Sequence, residues 1–141
     1  MRTVLVAALV AGGLGAGVAR AGGGPAPPVI REPFTALPCP IHPDTTIEVE
    51  GCQEMRILRT DRAIDAEVKA IFGRLPTPSA RASFVTGEQS WLRYRQQSCA
   101  SEAAVDAGGS AEPVALLTCV LRRNTSHLAD LRAMKKVVSQ R

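Results

Sequence analysis

The chain has 141 residues, 17 Lys+Arg against 13 Asp+Glu, four cysteines and only 4% aromatics. That is the length of one domain, and it lacks the clustered basic face with interleaved aromatics that nucleic-acid binding requires. Even the net charge of +4 is partly borrowed: residues 1–21 hold Arg2 and Arg20 and no acid, so the rest of the chain carries about +2.

Residues 1–21 read as a cleavable secretory signal. Arg2 opens it, Val4 to Gly17 is an uncharged apolar stretch, and Ala19-Arg20-Ala21 offers small residues where a signal peptidase inspects. The run is short and Gly-rich for a membrane span, and no Cys at the cleavage point marks a lipoprotein. The expected product is soluble, without a stable membrane span, in the periplasm or outside the cell. Residues 22–38 hold five prolines and three glycines. They read as a flexible or extended leader that buries little, with the folded domain over 39–134 and a fraying basic tail over 135–141, its fraying starting near Arg132.

The first helix is expected to begin near Asp44 or Thr45, where Thr45-x-x-Glu48 has the form of a capping box. Cys52, Met55, Leu58, Ile64, Val68, Ile71 and Leu75 follow at three- and four-residue steps, an amphipathic stripe. Pro76 and Pro78 end it, with Gly73 as a loosening point. Thr77-Pro78 opens the second helix as N-cap and first helical residue, with Phe84, Trp91, Tyr94 and Cys99 near one face. Gly108-Gly109-Ser110 permits a reversal, and Ser110 is the expected cap of a third helix carrying Val114, Leu117, Leu121, Leu128 and Leu131. No run alternates as a half-buried strand would. The fold expected is all-α: a small three-helix, disulfide-stapled domain with a hairpin of helices 2 and 3 packed on helix 1.

An even set of cysteines on an exported chain implies disulfides, and four allow three pairings. Cys39–Cys52 with Cys99–Cys119 is favoured, since each pair joins segments that the chain already brings close. Cys39 with His42 makes at most half of a metal site, and His127 stands alone, so no metal or other cofactor is expected. Asp61 and Asp65, or Glu88, could be offered as a glycosidase pair, but Asp61 and Asp65 lie one helical turn apart and nothing predicts a cleft around them. No catalytic residue is assigned, and the domain is read as non-enzymatic.

The most specific stretch is Trp91-x-x-Tyr94-Arg95-x-x-x-Cys99, followed by Gly108-Gly109-Ser110, Cys119 and Thr125. Arg95, four residues from both Trp91 and Cys99, could reach a carboxylate of helix 1, Asp61 or Asp65. With the early pair Cys39 and Cys52 and Asp61-x-x-Ile64-Asp65, this pattern resembles the LprI-like lysozyme inhibitors, small exported bacterial domains, over about residues 39–131. The chain departs from that pattern at Gly87-Glu88-Gln89, Asp106 and Leu128. The resemblance implies a partner, lysozyme or another cell-wall hydrolase, met by protein–protein contact. The alternative is an envelope protein with a different partner. Two segments could make the contact: the loop 101–110, including Asp106, and the acidic start of helix 1, with Asp44, Glu48, Glu50 and Glu54.

Overall fold

A computed structural model describes residues 24–34 and 37–140; the signal segment lies outside them. Three long helices follow one another: α1 (Thr46–Arg74), α2 (Pro78–Ala103) and α3 (Glu112–Ser139), with a 3₁₀ turn at Ala104–Asp106. There is no strand among the described residues.

The helix starts follow from local chemistry. Thr45 accepts a hydrogen bond from Glu48 N–H, and the Glu48 carboxylate accepts from the amides of Asp44 (2.9 Å) and Thr45 (3.0 Å), a complete capping box. Thr77 accepts from Ala80 N–H at 3.1 Å, with Pro78 in the first turn, where its missing amide costs nothing. The α1–α2 corner is closed by Arg81, whose Nε donates to Leu75 O at 3.0 Å. The third start differs from expectation. Ser110 makes no cap; Ala111 occupies that position without a side-chain bond, and Glu112 N–H donates to Gly109 O instead. Glu112 reaches back to accept from Gly108 N–H at 2.8 Å, and Gly108 takes φ +78°, a left-handed conformation that side chains disfavour.

Cross-links between the helices set their directions. From α1 to α3, Gln53 meets Thr118, Asp61 meets Asn124 and Glu67 meets Lys135, so these two run parallel. From α2 to α3, Cys99 meets Cys119 and Glu88 meets His127, so these two form the expected antiparallel hairpin. α3 lies close along both partners, whereas α1 and α2 approach each other less closely. The disulfides are Cys39–Cys52 and Cys99–Cys119, the favoured pairing. Gly51 is required beside the first: a Cβ there would collide with Pro38 O and the Leu37 side chain, because the backbone of Leu37 and Pro38 crosses α1 at that point.

The lower core is Ile64, Val68 and Ile71 of α1, with Leu75 at its C-terminal cap, against Leu128 and Leu131 of α3. Each fully buried aliphatic side chain of this kind stabilises by about 1.5–3 kcal/mol relative to exposure. The upper core is Ile57, Leu117, Ala103 and the Cys99–Cys119 bridge.

Several expected core positions are corrected. Met55 is 46% exposed and Leu58 half-buried, because Ile57, fully buried, takes the inward position on that turn. On α2, Tyr94 is exposed while Val85, Glu88, Arg95 and Cys99 face inward. The tail from Arg132 does not fray within the described residues: α3 runs to Ser139, with Lys135 and Arg132 on Glu67 of α1. Nor does the leader bury little. It is extended, but Ile30 packs against the lower core and Glu32 reaches a buried arginine.

Candidate functional site

Chain directions gather three helix termini at one end of the bundle: the start of α1, the end of α2 and the start of α3. Both disulfides lie there, so this end is braced. Pro43, Asp44, Thr45, Thr46 and Val49 of the α1 start line one shallow depression with Ser110, Ala111 and Val114 of the α3 start. The two segments singled out in the sequence as possible contacts are therefore adjacent in space.

The segments that form this end, 39–55 and 97–121, contain no Lys or Arg, and the Arg122 guanidinium that reaches it is paired with Glu102. Asp44 and Asp106 are exposed, and Glu48 and Glu50 are partly so. Backbone amides of Asp44 and Thr45 hold the Glu48 carboxyl below its ordinary range, so it stays ionised. Glu54 is a correction: it is 9% exposed, turned toward the bundle interior one turn before Ile57, and cannot serve as a surface contact. Two acids not singled out belong here instead. Glu112 closes the Gly108 turn, and Glu102 pairs with Arg122 at 2.6 Å.

Three residues of the sequence motif, Asp61, Trp91 and Arg95, meet at a second place, a buried polar seam at mid-bundle. Arg95 is 8% exposed; its Nη1 donates to Asp61 Oδ1 (3.2 Å) and Asn124 Oδ1 (2.8 Å), and its Nη2 to Glu32 Oε1 (2.5 Å). Asn124, wholly buried, returns Nδ2 to Asp61 Oδ1 at 2.8 Å and to Thr60 Oγ1 at 3.2 Å. Two carboxylates thus share one guanidinium. Burial raises the Asp61 pKa to about 6; Arg95 opposes this and the Glu32 charge adds to it. The other Asp61 oxygen, Oδ2, is buried without a hydrogen-bond partner, which is where a proton would sit. Asp65 does not meet Arg95. It accepts from Ile30 N–H at 3.1 Å, and burial raises its pKa despite that bond.

Trp91 stacks on His127 (centroids 3.8 Å apart, 14° between planes), and His127 Nε2 lies 2.9 Å from Glu88 Oε2. His127 is therefore not alone. Arg95 also lies over the Trp91 ring and Arg123 over Tyr94. Gly108, Gly109 and Ser110 form the turn at the braced end, and Thr125 is exposed, its hydroxyl on Leu121 O.

Sequence reasoning missed Glu32, Asn124 and the Glu88–His127 pair as parts of this seam. Helical spacing offered a signal for one: Asn124 lies seven residues after Leu117 and four before Leu128, on the stripe itself. Glu32 had none, since no periodicity connects a Pro-rich leader to a helix face.

No helix among the described residues is long and apolar enough to cross a membrane. A family model described as lysozyme inhibitor LprI matches residues 39–131. No curated protein and no solved structure matches the chain.

Proposed function

Because the chain belongs to the LprI lysozyme-inhibitor family, we propose that it is an exported inhibitor that engages a lysozyme through the braced acidic end of the bundle, by contact and without catalysis. The observation that carries this reading is the adjacency of the α1 start and the α3 start around one depression, at an end whose segments 39–55 and 97–121 have no Lys or Arg. An acidic face meets a basic enzyme with complementary charge, which speeds encounter and fixes orientation. Two disulfides hold the loops that would make the contact, which lowers the ordering cost of binding.

The near-neutral charge of the whole domain does not oppose this, because the segments 39–55 and 97–121 carry acids without Lys or Arg of their own. Lys69, Arg74, Arg81, Arg132, Lys135 and Lys136 lie on the far half of the helices, where Glu67 pairs with two of them, and Arg122 at the near end is taken up by Glu102. Local complementarity, rather than net charge, is what a partner surface meets.

The test is a titration of the purified chain into c-type and g-type lysozymes acting on cell walls, repeated with Glu50→Lys/Asp106→Lys. A stoichiometric loss of lysozyme activity, weakened by the double reversal, is the expected result. Unchanged activity at micromolar excess of protein removes the inhibitor reading. Full inhibition by the double variant removes the acidic end as its surface.

A further inference from the structure

The leader is docked in a way that resembles a bound peptide more than a strand of the domain. It lies on the face that α1 and α2 leave open, touching Asp65 of α1 and Arg95 of α2. Its exposure alternates: Val29, Arg31 and Pro33 face outward, Ile30, Glu32 and Phe34 inward. Period two is the signature of an extended chain presenting one edge. On that edge, the Ile30 amide donates to Asp65, the Ile30 side chain packs against the lower core, and the Glu32 carboxylate takes Arg95 Nη2.

The receiving residues belong to the helical domain, whereas the leader lies outside the family match, which begins at residue 39. Within the domain, Asp61 and Asn124 satisfy only Nη1 of Arg95; the Nη2 contact is made by Glu32. A guanidinium this buried is costly to leave half-paired, so the helical face itself calls for a carboxylate from elsewhere. Beside the leader an apolar floor continues along α2 and α3, with Leu92, Leu116, Leu117 and Val120.

We propose that the open α1–α2 face, with Arg95 and Asp65 as its polar anchors, is a recognition site for an extended peptide of the pattern apolar-x-acidic-x-apolar, and that residues 29–34 fill it as an exchangeable internal ligand. Specificity comes from three features: a backbone amide on Asp65, an apolar side chain against the lower core, and a carboxylate two residues later on Arg95. Extended segments are recognised elsewhere by this division between backbone bonds and alternate side-chain pockets. The site is separate from the acidic end, so it stands or falls independently of lysozyme inhibition.

The experiment uses the chain from Gly22 onward. Trypsin can cut the leader after Arg31, and cleavage of an opened segment tracks how often it is open. Release of the 22–31 peptide is followed by mass spectrometry for the native chain, Glu32→Gln and Ile30→Asn, with helical circular dichroism checking each fold. A charge-assisted bond, or the burial of an isoleucine side chain, is worth about tenfold or more in the opening equilibrium, so each variant should be cut about tenfold faster or more once its rate is divided by that of the free peptide of the same sequence. Next, fluorescent peptides spanning residues 25–34, with Glu or Gln at the position of Glu32, are titrated into the Glu32→Gln chain. The Glu peptide should bind about tenfold tighter than the Gln peptide. Unchanged cleavage in both variants overturns the docking. Faster cleavage with neither peptide binding, or both binding alike, overturns the exchangeable, carboxylate-reading site.

Discussion

Asp61 should make this protein gain stability on mild acidification, the reverse of the usual carboxylate response. Its folded pKa is about 6 against an ordinary value of 3.8. The folded state therefore binds the proton more readily than the unfolded chain, and stability falls as pH rises from about 4 through 6. At 1.36 kcal/mol per pKa unit the full effect is at most about 3 kcal/mol; solvent screening reduces this to about 1–2 kcal/mol. Asp61→Asn mimics the protonated side chain: its oxygen still accepts from Arg95 and Asn124, and its amide replaces the unpartnered Oδ2. Urea melts of both proteins at pH 4, 5, 6, 7 and 8, subtracted from one another, cancel the titrations they share. The difference should shift by about 1–2 kcal/mol in favour of Asp61→Asn between pH 4 and 7. Asp65, raised in the same direction, is common to both and drops out. A flat difference, or one of opposite sign, would refute the assignment of a buried, proton-accepting Asp61.

Asn124→Ala leaves Arg95 Nη1 and Asp61 Oδ1 bonded to each other but removes the three bonds that Asn124 makes to Arg95, Asp61 and Thr60. Lost charge-assisted bonds and a small cavity should cost about 2–4 kcal/mol, lowering Tm by roughly 10–20 °C for a domain of this size, as calorimetry would record. Replacing Cys99 and Cys119 together by Ala should cost about 3 kcal/mol by loop-closure entropy alone, read from the urea midpoint; a loss under about 1 kcal/mol would mean the upper core holds the hairpin without it. The single Trp91, stacked on His127, should change its emission intensity in His127→Ala with the far-ultraviolet circular dichroism unaltered. Identical emission spectra would argue that the stack does not persist in solution.

The helical architecture was legible because its signals are local. A threonine before a run and a glutamate three residues on satisfy the same amides in any context, and prolines stop or start helices by sterics alone; α1 and α2 begin where those rules place them. The disulfide pairing was legible because near cysteines close small loops. Even Arg95 with Asp61 could be anticipated from two motif residues on separate helices.

Other features depended on how the helices face one another. Reading a stripe from apolar residues selects Met55 and Tyr94 and passes over Glu54, Glu88 and Asn124, yet the latter three are buried and the former two exposed. Periodicity fixes which residues share a face but not where the buried arc is centred, and a shift of one position at Ile57 or Arg95 reassigns a whole turn. The leader is the clearest case. Its prolines and glycines excluded a helix over 24–34, and the sequence by itself determined only that the segment is flexible or extended. Only the tertiary structure decided that it docks, because that requires a gap between α1 and α2, an arginine whose second nitrogen faces the gap, and an acidic residue at the alternating position that meets it.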